Sequence, residues 1–115
     1  MKIHNRKPDI NNLYKVLRCE RPDRPTLIEG KHSFEDTIKP VEDFYEEWAG
    51  KIAVLGGVDM DFIMRSTEGE IAARGRAMIE RAWSRGGYAL GAGNSVPEFI
   101  PDGKFLALLK TALEY

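Results

Sequence analysis

The sequence predicts an α/β domain of parallel β-α units, and three observations predict it. Lys51 to Asp59 reads as an apolar strand that ends in Gly56-Gly57 and an acid. The segment after it carries a helix-start signal, Thr67 with Glu70 three residues on, which is the spacing of a capping box. Gly86 to Ser95 then reads as a second strand ending in glycines and an amide, Gly91-Ala92-Gly93-Asn94-Ser95. Consecutive apolar residues at Ile52 to Leu55, with no alternation, suggest a parallel strand covered on both faces. In such units the C-terminal strand ends and their loops share one edge, where ligands bind. A site, if present, is expected there.

Taken in order, the chain opens with a helix in which Asp9 caps the first turn and Ile10, Leu13, Tyr14 and Leu17 share an apolar face. Arg21-Pro22-Asp23-Arg24-Pro25 stops it. Thr26 to Glu29 is a short strand candidate, followed by the polar turn Gly30 to Asp36. The next helix carries Ile38, Val41, Phe44, Tyr45 and Trp48 on one face, holds Pro40 in its first turn and closes at Gly50. After the Lys51 to Leu55 strand comes a short apolar turn, Met60 to Met64. A helix from Glu68 then runs through Ile71, Met78, Ile79, Ala82 and Trp83 to the stop Gly86-Gly87. Tyr88 to Leu90 is a strand, and a loop marked by Pro97 and Pro101 leads to a last helix with Phe105, Leu106, Leu109, Ala112 and Leu113 inward. Trp48 and Trp83 fall at core positions of their helices.

Residues 1–115 are expected to form one domain, 1–25 supplying the N-terminal helix and its lead-in and 26–115 three β-α units. With 17 basic and 18 acidic residues mixed along it, the chain has no field to hold nucleic acid or an anionic membrane, and neither partner is expected. No apolar run reaches a membrane span, and the first residues have no signal-peptide core, so a cytoplasmic location is expected. One cysteine, Cys19, excludes an internal disulfide and a cysteine-built zinc site; it reads as a half-buried structural thiol.

Between Lys31 and Pro101 the chain resembles the C-terminal end of the uroporphyrinogen decarboxylase (URO-D) family, whose (β/α)8 barrels include the heme-pathway decarboxylase and corrinoid-linked methyltransferases. The resemblance is carried by His32 to Pro40 (His-Ser-Phe-Glu-Asp-Thr-Ile-Lys-Pro), by Ile52 to Asp61 and by Gly86 to Ser95. Val16-Leu17-Arg18 with Glu20 to Pro25 resembles the family's opening. The resemblance thus implies both ends of the barrel without its middle: Thr26 to Glu29 would derive from the first strand and be continued from the end of the sixth. It implies a partial TIM-type barrel of about three parallel strands and four helices, completed by oligomerisation. Open strand edges and an uncovered apolar inner face lead to an expected homodimer or higher oligomer, two copies closing a six-stranded ring.

The resemblance also limits the chemistry. The family's decarboxylases use an acid and basic residues from early strands that have no counterpart here. Its methyltransferases hold zinc with a His-x-Cys motif, also missing, and with a cysteine whose position corresponds approximately to Asn94. No metal and no cofactor is expected, since carboxylates and amides do not replace soft thiolates. The polar residues left at strand ends support two readings. In the functional one His32 is a general base, Asp59 its carboxylate partner or a ligand anchor, Asn94 and Ser95 hydrogen-bond donors, and Asp61 and Glu35 further ligand contacts. In the plainer one Asp59 and Asn94 organise their own loops and Asp36 caps a helix. Gly91-Ala92-Gly93 lacks the rest of a dinucleotide fingerprint. The function expected is that of a URO-D-like, reduced protein that binds a small molecule at the strand C-termini and lacks decarboxylase and zinc methyltransferase chemistry; the alternative is a non-catalytic remnant or protein-interaction module.

Overall fold

The computed structural model describes residues 9–23, 25, 39–93 and 95–115. Along them lie α1 (Ile10–Leu17), α2 (Val41–Trp48), β1 (Val54–Leu55), α3 (Met60–Arg65), α4 (Glu68–Trp83), β2 (Tyr88–Ala89) and α5 (Asp102–Leu113). The expectation of three strands and four helices in a partial barrel is corrected: the described residues are mostly helical, with five helices and two strands of two residues each. The expected strand Thr26 to Glu29 lies outside the described residues.

Glycine geometry clips the strands. Gly56 and Gly57 take φ of 72° and 94°, in the left-handed region, so the extended run from Val54 ends after two residues. Gly86 and Gly87, at φ 71° and 72°, delay the start of β2 in the same way. What remains is a parallel pair with Val54 opposite Tyr88 and Leu55 opposite Ala89, plus an isolated parallel bridge from Val58 to Ala92. The expected uncovered inner face is also corrected for Val54 and Leu90, which are buried within one copy with Val58, while Ile52 stays exposed. Ring closure through the sheet is therefore not what hides them.

Several helix ends fall on the expected signals, but α1 ends at Leu17, short of the expected stop at Arg21 to Pro25, and Pro40 is the N-cap of α2 and not part of its first turn. Thr67 and Glu70 form a reciprocal capping box, and α4 starts at Glu68. Asp9 caps α1 by accepting from the Asn11 amide at 3.0 Å. Gly50, at φ 79°, follows the end of α2. At the end of α1 the Cys19 amide donates to the Val16 carbonyl at 2.9 Å and the Glu20 amide to the Lys15 carbonyl at 2.8 Å. That is a Schellman motif, with Cys19 at φ 57° where glycine is the usual residue.

The core gathers Val41 and Tyr45 from α2, Ile63 from α3, Ile71, Met78 and Ile79 from α4, and Leu108 from α5 around the strands. At Gly75 of α4 a Cβ would lie 3.2 Å from Thr111 Cγ2, so the absent side chain lets α4 and α5 approach. Two expected faces are corrected, that of α1 wholly and that of α5 in part, since Phe105 and Ala112 do pack inward as expected. On α1 Asn12 and Val16 are buried while Ile10, Tyr14 and Leu17 are exposed. On α5 Ala107, Leu108, Thr111 and Ala112 point inward, and Leu106 and Leu113 outward. Trp48 is also exposed, just past a third, whereas Trp83 is half-buried against Tyr115.

Candidate functional site: the C-terminal edge of the parallel pair

The Val58 to Ala92 bridge brings the two glycine-bearing loops side by side. Val58 donates to the Gly91 carbonyl at 3.1 Å, Gly57 to that of Ala92 at 3.4 Å, and Gly93 back to Val58 at 2.7 Å. These amides are occupied by one another, which removes the row of outward N–H groups that an anion cradle needs. The glycines Gly56, Gly57, Gly91 and Gly93 are buried as well, so backbone density fills this edge.

Asp59 leaves the edge and caps α3. Its two carboxylate oxygens accept from the amides of Asp61 and Phe62, both at 3.2 Å. The stretch read as a turn after Asp59 is thus a six-residue helix, and its acid is the N-cap. Asp61 lies in the first turn of that helix and takes the Arg65 guanidinium at 2.9 Å in an exposed i,i+4 pair. Ser95 is exposed beyond the second loop. Asp59 and Asp61 therefore both serve α3. His32, Glu35, Asp36 and Asn94 lie outside the described residues. Among the described residues, no three His, Cys, Asp or Glu side chains gather as a metal site.

Two tyrosine hydroxyls brace this unit, and sequence reading did not single them out. Tyr88, at the start of β2, donates to the Gly56 carbonyl at 2.9 Å, which ties one strand to the glycine turn of the other. Tyr45 of α2 donates to the Gly86 carbonyl at 2.6 Å. The rings meet edge to face with centroids 5.9 Å apart, and burial pushes the Tyr45 phenol above its usual pKa. Only their place among apolar neighbours marked them in the sequence, and that marks packing rather than a hydrogen bond across the fold.

Charge pairs fix α2 on α4. Arg74 grips Glu42 in a bidentate pair at 2.8 and 3.0 Å and lies over the Phe62 ring. Burial pushes Glu42 up, yet the Arg74 hydrogen bonds and charge outweigh it and leave the carboxyl below its usual range. On the surface, hydrogen bonds from Arg85 and then Arg81 hold Glu46 at a pKa of about 2. Sequence periodicity placed both acids on α2 without identifying these partners.

A pocket is lined by Pro22, Pro25, Ile79, Trp83, Tyr88 and Leu90, among others. Its interior of about 20 Å³ suits a water molecule and not a metabolite. Among the described residues, no helix is long and apolar enough to cross a membrane. The chain matches no protein-family model, and a search of curated proteins finds no match.

Proposed function

We propose that the chain is a reduced relative of the URO-D family that binds a small molecule along the C-terminal edge of β1 and β2 without decarboxylase or zinc methyltransferase chemistry. The observation that carries this reading is the Val58 to Ala92 bridge: two of the three segments that resemble that family, Ile52 to Asp61 and Gly86 to Ser95, pair in parallel and bring their loops together. Binding is favoured over catalysis because Asp59 is committed to the α3 cap and Asp61 to Arg65, which leaves neither carboxylate poised as a general base. Thermal-shift measurements with tetrapyrroles, corrinoids and small methyl donors test it. A specific ligand at about a hundredfold excess over its Kd adds ~2.7 kcal/mol of stability, a rise of several degrees. No shift with any of the three classes would overturn the reading.

A second reading, a protein-interaction module, is favoured by one observation. The exposed apolar faces of α1 and α5 are surface of the kind that partners cover.

A further inference from the structure

Four side chains form a chain of contacts in the order cation, ring, ring, cation. The Arg21 guanidinium carbon lies 5.5 Å from the centre of the Trp83 ring, and the Trp83 and Tyr115 rings are 5.5 Å apart. The Arg76 guanidinium carbon lies 6.0 Å from the centre of the Tyr115 ring. Arg21, Arg76 and Tyr115 are exposed and Trp83 is half-buried. None of the four belongs to the loops at the C-terminal edge of β1 and β2.

The two cations differ from the other arginines. Among the described residues Arg18, Arg65, Arg74, Arg81 and Arg85 each pair with a carboxylate. Among the same residues Arg21 and Arg76 pair with none, although Glu80 lies four residues on from Arg76, the usual spacing of a helical ion pair. A ring attracts the guanidinium charge and leaves its five N–H donors unused. Each of the two is therefore steadied by an aromatic neighbour with its fork open to a carboxylate, and less side-chain freedom is lost when one binds.

Spacing and shape select the ligand. Arg76 and Trp83 stand seven residues apart on α4, two turns and ~10 Å along its axis. The other cation sits over Trp83, so one small anion does not span the pair. In a polyproline II segment residues three apart share a face and repeat at ~9 Å, so two acids with two prolines between them match the two cations. Trp83 and Tyr115 supply the aromatic footing on which such segments dock. The pocket beside Trp83, lined also by Pro22 and Pro25, is water-sized and admits no planar ligand. With 17 basic and 18 acidic residues the chain has no field for nucleic acid. We infer that this row is a docking site for an acidic, proline-rich segment of a partner protein, with Arg21 and Arg76 taking its two carboxylates and Trp83 and Tyr115 its prolines. Such docking is independent of any small molecule bound at the edge of β1 and β2.

Fluorescence anisotropy of a fluorescein-labelled peptide, Gly-Pro-Glu-Pro-Pro-Glu-Pro-Gly, titrated with the full chain tests this. Saturable binding at submillimolar protein is expected, and the same peptide with both acids replaced by glutamine should bind about tenfold more weakly. Arg21→Gln and Arg76→Gln should each weaken binding about fivefold, and Tyr115→Ala about threefold, with far-UV circular dichroism confirming that each variant folds. Arg65→Gln, which removes an arginine paired with Asp61 on α3, should leave binding unchanged. No saturation in that range, equal binding of the glutamine peptide, or two arginine variants that bind like the parent would overturn the inference. Loss in only one of the two would overturn the two-cation register. A labelled oligothymidylate bound as tightly as the peptide would overturn the choice of partner.

Discussion

Replacing Gly86 by alanine should test how the N-terminal helix is held. A Cβ at Gly86 would lie 2.4 Å from both the carbonyl carbon and the oxygen of Glu20, inside any real contact and against backbone, which cannot swing away. Gly87 makes the adjoining hydrogen bond, its amide donating to the Glu20 carbonyl at 3.4 Å. Gly50 is the control, because it has a similar φ of 79° but nothing within 4 Å of its would-be Cβ. Gly50→Ala should cost only the left-handed backbone preference, ~1–2 kcal/mol, partly offset by a stiffer unfolded chain. Gly86→Ala adds overpacking of ~1–3 kcal/mol and a lost hydrogen bond of ~1 kcal/mol, for a total of about 2 to 5 kcal/mol. Urea unfolding of both variants reads the difference. Equal losses within about 0.5 kcal/mol, the usual resolution of such comparisons, would show that the segment after α1 does not press on β2 as described.

Asp59→Ala should cost ~0.5–2 kcal/mol by uncapping α3, with amide exchange rising in Met60 to Arg65 and not in β1 or β2; a loss above ~3 kcal/mol would mark Asp59 as a core group. Tyr88→Phe leaves the Gly56 carbonyl without this buried donor and should cost ~1–3 kcal/mol, read by thermal unfolding; an unchanged Tm would refute the brace. Glu46 is charged and paired in the folded chain down to a pKa of about 2, below its ordinary 4.5. Its contribution to stability is therefore fully present above pH 4.5 and lost as pH falls through about 2. Acid titration of Glu46→Gln against the parent should converge at the bottom of that window, and curves that stay parallel throughout would contradict the pairing.

Helix boundaries were the most legible part of the fold, because caps are local chemistry. Thr67 with Glu70, Asp9 and Gly50 each act where the sequence places them. Strand length was not legible: apolar residues from Ile52 to Leu55 predict a longer extended run, and positive φ at paired glycines cuts it short. Periodicity found the apolar face of α1 but not which way it points, and on α5 it placed Phe105 and Ala112 correctly while Leu106 and Leu113 point outward. On α1 the direction is settled by Asn12, whose side chain accepts from the Asp23 amide at 2.8 Å and donates to Asp9 at 3.3 Å, turning Ile10, Tyr14 and Leu17 outward. At the candidate site the loop-organising reading of Asp59 is the one the geometry matches. Its partners lie two and three residues ahead, so the plainer reading was available from spacing alone.

The close approach of Glu20 to Gly86 also bears on the order in which the chain assembles. Its surface for docking the end of α1 exists only once α4 has ended and Gly86-Gly87 has turned into β2, so α1 finds its place after elements that follow it in the chain. Until then α1, eight residues long, is too short to persist alone in water. Native-state hydrogen exchange should accordingly show α1 opening at lower free energy than α4, as a unit that detaches while the packing of α4 on α5 stays shut.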